Sequence, residues 1–242
     1  TSEEDGVIPL AWLEASNQRW LDYHPECGRW PDCHHVCQPE PFTFVGVDVA
    51  RSGRDRTVLA LRFGAQVLEL RKFAPIPTTE TTGHTIRVLD AYGGRAVVDT
   101  IGIGAGVVDQ LREQGYGWPG IAFHAGTSTG VCDRSGELSF SDVRSAAWWH
   151  LRDRLDPSAP TGTLIALPPD DDLTGDLTAP HWKTMQSGRV KVESKEDVHG
   201  RLGRSPDVGD AVVQAFWPDA AIVDVPVVGA GGGTQASYWK QV

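Results

Sequence analysis

The chain has 242 residues, 40% apolar and 22% charged, which is long enough to bury the core of one large domain with appendages. No stretch approaches the ~18 consecutive apolar residues of a membrane span. The opening TSEEDGVIPL lacks the basic-then-apolar pattern of a signal peptide, so a soluble, intracellular protein with no membrane partner is expected. The formal net charge of -10 argues against a protein that grips nucleic acid by electrostatics alone, because non-specific affinity comes from Lys and Arg neutralising phosphates. Clustered metal-binding carboxylates would add to the same negative sum, so a metal-dependent enzyme stays open.

The chain begins without Met, on a segment that reads as the interior of a longer polypeptide. From Ile8 to Tyr23 the apolar residues Leu10, Leu13, Trp20 and Leu21 follow roughly helical spacing after Pro9, which predicts a short amphipathic helix. HPECGRWPDCHHVCQPEP then shows no periodicity and reads as a linker or a small metal-stapled loop. FTFVGVDVA, from Phe42, has no polar alternation, as expected of a central strand buried on both faces. TVLALRFG and QVLELRKFA follow after the turns RSGRDR and Gly64-Ala65, giving three consecutive antiparallel strands. Next come a helix in TTETTGHTIRVLDAYG, a strand in RAVVDTIG, a helix in GAGVVDQLREQG and a strand in GIAFHAG.

That order, β-β-β-α-β-α-β, predicts an α/β fold of the ribonuclease H-like plan: a mixed central sheet of three antiparallel strands, then parallel strands, flanked by helices. Downstream, LSFSDVRSAAWWHLRDRLD reads as a helix with Trp148, Leu151 and Leu155 on one side. TLIALP, WKTM and RVKVES read as short strands, and SPDVGDAVVQAFW as the final helix. The expected division is a connecting segment at 1–41, a domain at 42–222 and a Gly-rich flexible tail at 223–242.

Four acids stand in or beside apolar runs. Asp48 sits inside the apolar first strand, where an uncompensated charge would cost several kcal/mol. Asp99 ends the apolar AVV just before a helix-leading turn, and Asp207 and Asp210 share one face of the final helix. Each has a simpler reading: Asp48 as a cap on the following turn, Asp99 as a helix cap, Asp207 as complement to the helix dipole. Asp210, abutting AVVQAFW, is the hardest to dismiss. Acids remote in sequence that meet at strand ends can hold two Mg2+ or Mn2+ ions about 4 Å apart, the arrangement that serves phosphodiester hydrolysis.

FVGVDVARSGRDRTVLALR, RAVVDTIGIGAGVVDQL, GELSFSDVRSAAWWHLRDRL and VKVESKEDVHGRLGRSPDVGDAVVQAFW together resemble the nuclease domain of large terminase subunits of tailed bacteriophages. The resemblance runs from about Phe42 to Trp217, with VIPLAWLEA similar to the segment that follows the motor domain in that family. It implies a metal-dependent endonuclease that cuts concatemeric double-stranded DNA in the host cytoplasm. It also implies an N-terminal ATPase domain in the full-length protein, with the small terminase subunit and the portal protein as partners. Carried onto this chain, Asp48, Asp99 and Asp210 are the metal-holding acids, and Asp207 takes an auxiliary catalytic place. No GxxxxGK[ST] loop is present, so this chain itself should not hydrolyse ATP.

Cys27, Cys33 and Cys37, with His24, His34 and His35, offer ligands for a structural Zn2+, but their spacing is not a standard one and fits a solvent-exposed linker with reduced thiols better. Arg51, Arg54 and Arg56 beside Asp48, and Arg144 on a helix, could clamp DNA phosphates or be ordinary surface arginines. Lys183, Arg189 and Lys191 could form a second strip along the DNA backbone, whereas Trp148 and Trp149 read as core. Two other functions share parts of the pattern. An actin- or sugar-kinase-like phosphotransferase would need Gly where this chain has Ala50 and a second phosphate loop, and a catalytically silent packaging scaffold would have to bind DNA despite its negative charge.

Overall fold

A computed structural model describes residues 6–23, 40–50, 55–118, 122–160 and 162–221. Strand β1 (Phe42–Asp48), apolar almost throughout, takes the middle of a five-stranded sheet. β2 (Thr57–Phe63) and β3 (Gln66–Phe73) extend it antiparallel on one side, and β4 (Arg95–Asp99) and β5 (Ala122–Phe123) extend it parallel on the other. The order is β3-β2-β1-β4-β5, the mixed ribonuclease H-like sheet expected from the sequence.

Strand alternation divides the core in two. Val45, Val47, Leu59, Leu61 and Val98 pack under helices α2 (Thr78–Tyr92) and α3 (Gly104–Glu113). Phe44, Val58, Ala60 and Val97 face the other way, onto α4 (Val143–Leu155) and α7 (Asp207–Ala221). α7 is buried along nearly its whole length, Pro218 in its last turn included. It lies unusually close to the sheet because β1 offers Gly46 there: a Cβ on that residue would stand 1.9 Å from the Ala211 carbonyl oxygen. Gly46→Ala should therefore force α7 off β1 and destabilise the fold by roughly 3 kcal/mol. An unchanged urea midpoint would mean that the contact is not needed.

One sequence expectation is corrected. TLIALP makes only one bridge, Gln66 with Ala166, instead of a strand. Its carbonyls are taken by side chains of α1 (Leu10–Tyr23): Ile165 O accepts from Ser16 Oγ and Arg19 Nε at 3.0 Å each, and Leu167 O accepts from Asn17 Nδ2 at 3.0 Å. The same contacts hold α1 against this segment. Trp20 is fully buried and donates to Val67 O at 2.9 Å. Two polar helices were not foreseen: α5 (Asp171–Thr178), capped by Asp170, and α6 (Lys195–Leu202), capped by Ser194. Between them a hairpin of β6 (Trp182–Thr184) and β7 (Val190–Val192) carries Lys183 opposite Lys191. Trp148 and Trp149 are core residues, as read.

The Cys27, Cys33 and Cys37 cluster, its histidines, the tail and Arg51 and Arg54 lie outside the described residues. Among the described residues, no helix is long and apolar enough to cross a membrane.

Candidate functional site

β1 and β4 run parallel, with Val47 paired to Val98. The next residue on each strand, Asp48 and Asp99, thus ends its strand beside the other at the carboxyl edge of the sheet, where open α/β folds gather their ligands. Alternation sends both toward the α7 face, two residues beyond Gly46 and Val97. The close seat of α7 on Gly46 brings its first turn, with Asp207 and Asp210, to the same place. Asp48, Asp207 and Asp210 are 2%, 3% and 5% exposed.

At the centre of these acids stands Lys195, the first residue of α6. Its Nζ lies 2.8 Å from Asp48 Oδ2, 3.2 Å from Asp207 Oδ1 and 3.7 Å from Asp210 Oδ2. Other donors fix the outer oxygens. Arg144 Nη1 and Trp148 Nε1 donate to Asp210 Oδ1 at 2.7 and 3.2 Å, the backbone N–H of Arg56 donates to Asp207 Oδ2 at 2.7 Å, and that of Ile101 to Asp99 Oδ1 at 2.9 Å.

Burial is the dominant influence on these charges. It pushes the carboxyls of Asp48, Asp99 and Asp207 above their ordinary values, and Lys195 pulls each of them back. The reverse holds for the lysine. Burial opposes its charge, but Asp48, Asp210 and Asp207 outweigh that and hold it above the ordinary lysine range. Among the described residues the cluster sets four acids against Lys195 and Arg144, so an incoming cation would favour the ionised form of each carboxyl.

Among the described residues, no three His, Cys, Asp or Glu side chains close on a common point as a ready ligand set. Asp48, Asp207 and Asp210 are instead spread around an ammonium, at separations longer than the roughly 2.1 Å of a bound Mg2+. Yet the donors suit such an ion. Among the described residues, Asp207 Oδ1 and Asp210 Oδ2 are buried without a hydrogen-bond partner and face the Lys195 charge, and all four acids offer the hard oxygen that Mg2+ and Mn2+ take.

Of the arginines expected at DNA phosphates, Arg144 is turned inward. Its Nε donates to Glu193 O at 3.0 Å, its side chain is 12% exposed, and its charge is committed to Asp210. Arg56 likewise pairs with Asp172 at 2.8 Å. Lys183 and Arg189 are exposed on the hairpin, while Lys191 pairs with Asp142 at 2.6 Å. Lys195 escaped the sequence reading, though a signal was present: a cation in the first turn of a helix opposes the helix dipole unless acids elsewhere claim it.

No family model matches the chain, and no curated protein matches it by sequence. Solved structures do match. The nuclease domain of the large terminase subunit gp2 of bacterial virus Sf6 is 20% identical, with a TM-score of 0.67 over 87% of this chain and 97% of that domain. The large terminase nuclease of thermophilic phage G20c is 13% identical, with a TM-score of 0.51 over 75% of this chain and 86% of that one. The nuclease domain from Thermus phage P74-26 is 14% identical, with the same TM-score, over 75% and 83%. Sheet order, flanking helices and this likeness agree: the chain has the ribonuclease H-like fold of terminase nuclease domains.

Proposed function

We propose that this chain is the nuclease domain of a phage DNA-packaging terminase, a hydrolase that cuts the phosphodiester bonds of concatemeric double-stranded DNA. The observation that carries the reading is the convergence of Asp48, Asp207 and Asp210 around a buried cation at the carboxyl end of the central strand, with Asp99 beside them. The fold supports it. So do the manganese in a structure of a Lys-to-Ala mutant of the Sf6 domain and the magnesium in another structure of the G20c nuclease.

On this reading two Mg2+ or Mn2+ ions, when bound, activate a water and offset charge on the leaving oxygen. The chain's own residues do the rest. Asp48, Asp99 and Asp210 hold the ions, and Asp207 serves as a fourth, auxiliary acid. Arg144 and Trp148 keep Asp210 in one rotamer, and the Arg56 amide does the same for Asp207. In the metal-free protein Lys195 supplies the positive charge that the acids need. Lys183 and Arg189 are left to track the DNA backbone, with Arg51 and Arg54 as further candidates. The function also places the chain behind an ATPase domain, with the small terminase subunit and portal as partners, in the host cytoplasm.

Supercoiled plasmid incubated with the protein should be nicked or linearised in millimolar Mn2+ or Mg2+, with little sequence preference, and left intact in EDTA. Undiminished cutting in excess EDTA would remove the metal mechanism. Binding should be weak, as the net charge of -10 implies, and should weaken further with salt, because the contacts to phosphates are made by Lys and Arg and release counterions.

A further inference from the structure

α7 delivers two of the four acids from its first turn, yet Pro206, which precedes that turn, has no side-chain acceptor to cap it. The cap comes from another helix. Asp176 in α5, fully buried, accepts the backbone N–H groups of Val208 at 2.9 Å and Gly209 at 3.2 Å on its Oδ2. Its Oδ1 pairs with Arg204. The approach is close: a Cβ on Gly209 would stand 2.9 Å from the Asp176 Cβ. Burial pushes the Asp176 carboxyl up to about 6, against the pull of Arg204 and the two amides, so at neutral pH it is ionised and accepts both N–H groups.

α5 also reaches the site from its other end. Asp172 pairs with Arg56 and with Lys72, each at 2.8 Å, and Lys72 pairs with Asp170, the N-cap of α5, at 2.7 Å. These ion pairs pin α5 to the β2–β3 edge of the sheet and fix the Arg56 backbone, whose N–H donates to Asp207 Oδ2. Asp207 is therefore located twice through α5: its helix by Asp176, its carboxylate by the amide next to the Asp172 partner.

We propose that Asp176 is a positioning residue of the nuclease site, the carboxylate by which α5 sets the reach of Asp207 and Asp210 toward the metal ions. This rests on the nuclease reading above. The charge on Asp176 satisfies two amides at the positive end of α7. Without it the first turn of α7 loses its anchor, and a ligand displaced by a fraction of an ångström binds metal poorly.

The test compares the parent with Asp176→Asn, titrating Mn2+ in plasmid cleavage and, separately, in thermal melting. Asp176→Asn should need about ten- to hundredfold more Mn2+ for half-maximal rate, as groups behind metal ligands typically do, and should recover most of the parent rate at saturating Mn2+. The Mn2+-induced rise in melting temperature should move to higher metal in step. Asp219→Asn is the control: Asp219 lies near the far end of the same helix, paired with Arg62 and Arg154, so its loss should lower the melting temperature without moving the Mn2+ requirement. Should Asp176→Asn fail to fold, Arg204→Gln, at a partly exposed position, strands the Asp176 charge and should raise the Mn2+ requirement in the same direction. A variant that melts lower but keeps the parent's Mn2+ requirement overturns the proposal and leaves Asp176 a stability element. A parent with neither cleavage nor a melting response to Mn2+ overturns the nuclease reading itself, and the proposal with it.

Discussion

Asp48→Asn should abolish Mn2+-dependent cleavage, with a fall of about a thousandfold or more, while the protein stays folded. A metal-held transition state draws several kcal/mol from correctly placed ligands, and about 4 kcal/mol is a thousandfold in rate. Asn has the shape of Asp and half of its acceptors, so the strand and the Gly46 contact survive. The stability effect has a definite sign. Burial raises the folded carboxyl of Asp48 above the value of about 4 that it has in the unfolded chain. Such a group contributes stability below its unfolded pKa, and that contribution is lost as pH rises toward and through the folded pKa. Asn does not titrate. In EDTA at neutral pH the variant should therefore melt at the same temperature as the parent or higher, and the gap should widen with pH. In millimolar Mn2+ the order should reverse, because the parent gains stability by binding the ion and the variant gains much less. If Asp48→Asn melts several degrees lower in EDTA and keeps the full Mn2+ response, Asp48 is a cap on the turn after β1, and the site is misassigned.

The sheet and its acids were legible because each rests on a local pattern. β1 is apolar without alternation, which only a central strand buried on both faces tolerates, and a charge inside such a run has to be compensated. The same argument found Asp99 at the end of β4, and helical spacing found Asp207 and Asp210. What compensates them was not legible. Lys195 meets Asp48 across 147 residues, and Arg56 meets Asp172 across 116, through helices of eight residues with few apolar positions. α6 buries only Val198, so periodicity could not announce it, although Ser194 followed by Glu196 and Asp197 is a recognisable helix start. Arg144 was read as either a phosphate clamp or a surface arginine, both of which face solvent. The fold carries it inward instead, since Trp148, one helical turn on, anchors that face of α4 to Asp210. TLIALP misled for the opposite reason: its apolar residues are buried, but under α1, whose side chains replace a partner strand.

Lys195→Ala should produce the largest opposite changes in the two states of the protein. In EDTA the variant leaves Asp48, Asp207 and Asp210 buried around an empty centre, with Arg144 as the remaining cation on Asp210. Removing one partner of a buried pair typically costs 3–5 kcal/mol, and relaxation of the acids toward solvent should hold the loss to about 3 kcal/mol here. The variant should accordingly melt well below the parent when no metal is present. With Mn2+ the direction changes. In the parent an incoming ion has to displace an ammonium that the three acids hold charged, whereas in the variant that ammonium is gone. The Mn2+ concentration at half-maximal melting shift should fall by about tenfold or more, and the total Mn2+-induced rise should exceed the parent's, because the variant starts lower and binds more tightly. Lys195→Ala combined with Asp48→Asn separates charge from packing. If the loss in EDTA comes from repulsion among the acids, removing one of them should recover a good part of it, so the two changes will not add. Additive losses, or an Mn2+ midpoint unchanged by Lys195→Ala, would show that the lysine packs beside the acids without competing for the ion's place.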